Sequence, residues 1–300
     1  MPDQLLNRAA RVAAVAAVAL ATVVASAGAA GAESPEERPI EVKVDRAGIQ
    51  APQNHLGGLV SFRVKTDDPN GRQLQLLRPH AGVAIDKVLH DLANSMSRRP
   101  STAAAGIRAV RGEAEALGGA MVTPRVHEQF TEEVAPGTVY LLDLTAFRAD
   151  PAHPVMRTME LAGTNGMNAN QARYPHGIVV HRTTLDGPRF QTDDLDHVHL
   201  AYLVHNGSPQ IHETQLRPVA PGTTDKQVQT YLETVAQGRK ARSPFTGPPT
   251  GLGAFSPDRS ASIQAHGLQP GRYAVLDMMP DEGTGLSHAV LGMHEVVDLK

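Results

Sequence analysis

Between residues 39 and 44 the chain alternates apolar and polar positions (Pro-Ile-Glu-Val-Lys-Val), which predicts a first strand with one buried face. Residues 59–65 alternate again, with Val60, Phe62 and Val64 on one face and Leu59, Ser61, Arg63 and Lys65 on the other. Residues 66–71 (Thr-Asp-Asp-Pro-Asn-Gly) are dense in turn formers, so residues 73–77 are expected to pair back as a hairpin. At Asp86 the period changes: Val88, Leu89 and Leu92 recur at helical spacing, Ser97 falls at the last turn, and Pro100 marks the stop. Residues 101–117 carry a second helical stripe in Ile107, Val110, Ala114 and Leu117.

The second half repeats the same order of signals. Residues 178–182 and 197–204 read as strands, and Asn206-Gly207 is a hairpin turn signal. Thr224 with Gln227 three residues on is a capping box for a helix carrying Val228, Tyr231, Leu232 and Val235. Residues 272–279 predict a strand that stops at Pro280, and a final strand runs to Leu299. The halves also match residue by residue. Pro136-Gly-Thr-Val-Tyr-Leu-Leu-Asp143 lies 134 positions before Pro270-Gly-Arg-Tyr-Ala-Val-Leu-Asp277, and Leu77-Arg78-Pro79 lies 139 before Leu216-Arg217-Pro218. Several short matches in one order indicate two copies of one domain with insertions in loops. The expected division is 37–161 for the first copy, an Asn/Gly-rich linker at 162–171, and 172–300 for the second.

Arg8 and Arg11 precede an Ala/Val/Leu run from Val12 to Val24, and Ala30-Gly31-Ala32 fits a cleavage site. Residues 1–32 therefore read as a secretory signal peptide, the run being too short to span a bilayer. A secreted or wall-associated product follows, with no membrane insertion once the leader is removed. The net charge of −3, without a basic stripe, argues against nucleic acid as a partner. The chain has no Cys, so burial alone must hold each core, and no Trp on which sugars or bases could stack.

The stretch from Arg272 to Leu299, with Ser-His-Ala-Val-Leu-Gly-Met at 287–293, resembles the closing strand–loop–strand of cupredoxins, plastocyanin-like proteins that hold copper between His, Cys, His and Met. The resemblance implies a mostly β chain of two tandem Greek-key β-sandwich domains, each with a helical insertion before its last strands. It maps the four ligand positions of the second copy onto His212, Asp277, His288 and Met293. In the first copy they map onto Gln73, Asp143, His153 and Met159. Asp stands in the Cys position in both copies, so type-1 copper is excluded for want of the thiolate.

Two readings stay open. The four residues of the second copy serve the structure, and the protein is a copper-free binding or interaction module for an unknown protein or small ligand. Alternatively His212, Asp277 and His288, with Met293 as a feeble fourth ligand, form a weak copper or zinc site. His197, His199 and His205 share one strand parity and read as a solvated face. No nucleophile elbow, zinc-protease helix, phosphate loop or dinucleotide fingerprint occurs, so no enzyme is expected.

Overall fold

The computed structural model describes residues 38–165 and 175–300. The expected leader at 1–32 lies outside the described residues, as do positions 166–171 of the expected linker. The first half runs β1 (Ile40–Asp45), β2 (Gly48–Gln50), β3 (Asn54–Lys65), β4 (Arg72–Pro79), α1 (Ile85–Ser95), α2 (Pro100–Glu113), β5 (Ala114–Val122), β6 (His127–Val134), β7 (Gly137–Asp143), α3 (Leu144–Ala149) and β8 (Met156–Asn165). The second runs β9 (Gly177–Thr184), β10 (Gly187–Asp193), β11 (Tyr202–Asn206), β12 (His212–Pro218), α4 (Asp225–Ala236), β13 (Thr250–Phe255), β14 (Ser260–His266), β15 (Gly271–Leu276) and β16 (His294–Leu299). The chain is mostly β.

Strand pairing has the same plan in each half. β4 lies between β5 and β7, and β7 pairs with β8. Correspondingly, β12 lies between β13 and β15, and β15 pairs with β16. β3 pairs with β6 as β11 pairs with β14. The halves are stitched together by β5 with β13 and β6 with β14, both antiparallel.

Several expectations are corrected here. β4 does not fold back on β3, and β12 does not fold back on β11. In both halves the turn carries the chain to a different neighbour, so the turn residues mark a crossing rather than a hairpin. The helix expected at 101–117 ends at Glu113, and Ala114 and Leu117 belong to β5. Gly118 and Gly119 follow at once, and a Cβ on Gly119 (φ +154°) would stand 2.1 Å from the Leu74 carbonyl oxygen, so β4 and β5 approach too closely there for any side chain. Positions 162–165 of the expected linker continue β8. Residues 197–201 are irregular, and the strand begins at Tyr202.

The alternation in β3 holds: Val60, Phe62 and Val64 are fully buried, and Phe62 stacks on Phe130 of β6 with ring centroids 5.0 Å apart. Each such side chain contributes roughly 1.5–3 kcal/mol by leaving water. This main core draws on both halves, adding Val179, Val204, Phe255 and Ala261 to the residues of β1–β8. A second cluster also spans them. Leu89, Leu92, Ile107 and Val110 from the α1–α2 pair pack with Ile211, Ala254 and Met279. α4 is capped as expected, with Thr224 and Gln227 closing a full capping box.

Candidate functional site

β15 ends at Leu276, and the next residue, Asp277, is completely buried. Its amide donates to the Met293 carbonyl at 3.3 Å, and its carbonyl accepts from Ala289 at 2.7 Å, so the loop that follows returns over it. Asp277 Oδ1 accepts from the Met279 amide at 2.8 Å, which fixes the first bend of that loop. Its other oxygen, Oδ2, faces two imidazoles. His288, carried on the returning loop, places Nδ1 at 3.1 Å, and His212, at the start of β12, places Nδ1 closer still. Both rings are fully buried, with centroids 4.2 Å apart.

Gln210 commits its amide nitrogen to Asp281 and receives the Glu282 amide on Oε1, so that oxygen is an acceptor facing His288 Nε2 at 3.2 Å. His288 thus stands between the Asp277 carboxylate and the Gln210 carbonyl oxygen. Burial acts to raise the Asp277 pKa, but His288 and His212 outweigh it and hold the carboxyl below the usual carboxylate range. Burial lowers the His212 pKa, against the opposing pull of Asp277. A neutral His212 donating from Nδ1 leaves Nε2 as a bare acceptor, and among the described residues that buried atom has no partner.

Sequence reasoning missed a third ring. His181 of β9 packs 5.2 Å from His212, is fully buried, and bonds Thr214 Oγ1 through Nε2 at 2.7 Å. Burial pushes its pKa well below the ordinary value. The signal was present: His181 shares the inward parity of Val179 in an alternating strand.

Of the four positions expected in the second half, the structure brings His212, Asp277 and His288 together, with candidate ligand atoms all within 4.8 Å of one another. Met293 is buried and touches the group through its backbone carbonyl. The first half is corrected. Gln75 faces Leu142 as Gln215 faces Leu276, so the true offset of this strand is 140, and the residue in the place of His212 is Arg72 rather than Gln73. Arg72 donates to Asp143 Oδ2 at 2.8 Å. Asp143 in turn bonds the Val155 carbonyl through its amide, as Asp277 bonds that of Met293, so Val155 and not Met159 matches Met293. Met159 sits inside β8 opposite Val139, and His153 is exposed on Asp150. The expected stripe of His197, His199 and His205 does not form. His197 instead joins His176 and Asp196 at the surface, with contacts to Asp196 Oδ1 of 2.7 and 3.1 Å.

Copper of the cupredoxin kind does not fit these residues. There is no thiolate, and both Nδ1 atoms are spent on one carboxylate oxygen. An ion on all three donors would have to separate His212 from Asp277 and displace a proton from His288.

No protein-family model matches the chain, and no curated protein matches it. Solved structures similar to part of it include the cupredoxins auracyanin B and rusticyanin. Auracyanin B is 15% identical over 43% of this chain and 92% of its own, with a TM-score of 0.26. Rusticyanin from Thiobacillus ferrooxidans is 18% identical over 41% of this chain and 76% of its own, with a TM-score of 0.23. A likeness of this extent carries no functional assignment.

Proposed function

We propose that this chain is an exported, copper-free protein of two tandem cupredoxin-like domains that binds a ligand without chemistry, and that the Asp277 group serves as a lock. The observation that carries this reading is that each strand-end aspartate is bonded by the protein's own side-chain nitrogens: Arg72 on Asp143, and His212 and His288 on Asp277. A carboxylate whose oxygens are already bonded by its own protein needs no ion. Export rests on the leader at 1–32, and mass spectrometry of secreted material should find the N-terminus near Glu33.

A second reading, a divalent copper or zinc site on His212, Asp277 and His288, is favoured by the convergence of three donors and the unpartnered Nε2 of His212. Calorimetry of tag-free protein with Zn(II) and Cu(II) decides between them. No stoichiometric buried site is expected. A tight site that disappears in His288→Ala but survives His176→Ala would overturn the copper-free reading. A site lost in His176→Ala instead is the surface group, and leaves it standing.

A further inference from the structure

A cleft of about 570 Å³ opens between the α1–α2 pair of the first half and residues 278–287 of the second. Small-molecule sites commonly occupy ~300–1,000 Å³. Its floor is the second apolar cluster, with Leu92, Ile107 and Met279 among the lining residues. Among the described residues its charged lining consists of Arg148 and Arg217, with no acidic residue. Among the described residues neither arginine has a carboxylate within ion-pair distance, although Arg148 donates to Gln73 at 2.8 Å. Arg217 is held without being neutralised. Its Nε donates to the Gly247 carbonyl at 3.2 Å and its guanidinium lies 4.3 Å over the Phe245 ring, and among the described residues its two terminal nitrogens have no hydrogen-bond partner. A planar guanidinium with both ends free matches a carboxylate.

The walls are fixed in advance of any ligand. Gly285 (φ +71°) packs so tightly on the first turn of α2 that a Cβ there would lie 1.8 Å from the Pro100 carbonyl oxygen. Arg111 of α2 holds Glu282 at 2.6 Å, and the Asp281 carboxylate accepts from Gly283, Thr284 and Gln210. The Asp277 group anchors both ends of this same loop.

We infer that this cleft binds a small amphipathic carboxylate, its head on Arg217 and its apolar body along Leu92, Ile107 and Met279. The inference rests on the binding-protein reading and names the ligand class for it. Arg217 supplies direction and selects the anion, and the apolar floor supplies the area.

Because the chain has no Trp, Met278→Trp places a single indole reporter on the cleft rim. Decanoate titrated into this full-length protein should give a saturable emission shift below about 1 mM. Decanol should bind about tenfold more weakly and acetate should give no shift. Arg217→Gln in the same background should weaken decanoate about tenfold and leave decanol unchanged. Calorimetry on the unmodified protein should show decanoate binding that weakens with added salt, independent of whether Arg217→Gln folds. Non-saturable uptake, equal affinity for decanol and decanoate, or no effect of Arg217→Gln in a folded variant would overturn the inference. Any of these leaves the copper-free reading intact, since the metal titration alone decides that.

Discussion

Arg72 meets Asp143 at 2.8 Å across the β4–β7 ladder, in the position where His212 meets Asp277 across β12 and β15. Asp143 is fully buried, and Arg72 also bonds Asp68 at 2.8 Å. The Asn70 amide, helped by Arg72 and Arg46 and opposed by burial, brings the Asp68 pKa down to about 2. Removing the guanidinium leaves a buried charge without compensation. Arg72→Met should cost about 3–5 kcal/mol in urea unfolding, and adding Asp143→Leu should recover part of that loss. Simple additivity of the two changes would show that the pair is not coupled.

Acid should weaken the second half through its buried rings. The His181 pKa is lowered in the fold, so the unfolded chain takes up a proton first. Its contribution is complete above about pH 6.5 and is lost as pH falls toward the folded pKa; His212 acts in the same direction. The urea midpoint should therefore drop between pH 7 and pH 5, and drop less in His181→Gln, whose side-chain amide can still meet Thr214. Equal slopes in both proteins would count against the assignment.

Glu128 of β6 has the opposite sign. It is fully buried, and among the described residues no donor reaches either carboxyl oxygen in good hydrogen-bond geometry. Burial raises its pKa to about 8, against a smaller opposing effect of the Gly251 N–H. The folded chain holds this proton more tightly, so stability is greatest below about pH 4.3 and is lost as pH rises through about 8. Glu128→Gln should therefore stabilise the protein at pH 9 by roughly 1–3 kcal/mol, and by much less at pH 4. Thermal melts of both proteins at the two pH values test this.

Gly285 ties the ligand-cleft loop to α2. Gly285→Ala meets both an unfavourable φ and the Pro100 carbonyl, so it should cost roughly 1–3 kcal/mol. If the loop forms the wall of the cleft, decanoate affinity should fall in the same variant. Unchanged stability and affinity would mean that the loop moves aside freely.

The sequence by itself determined what rests on local periodicity and composition. Alternation placed β1 and β3, helical spacing and a capping box placed α1 and α4, and the missing cysteine excluded a thiolate centre. It also placed Asp143 and Asp277 alike, because the Pro-Gly turn and the strand behind it keep one length in both halves. Only the tertiary structure decided what surrounds them. The β4–β7 and β12–β15 ladders align the two strands at an offset of 140 and not at the 139 of the Leu-Arg-Pro match, so Arg72 rather than Gln73 reaches Asp143, and only the pairing records this. Hydrophobic spacing carried the reading of α2 four residues too far, since β5 begins with apolar residues that fit either period. His181 joins His212 because β9 and β12 meet through space. Arg217 is left without a carboxylate for a similar reason: its surroundings come from the packing of separate elements, which only the folded chain assembles.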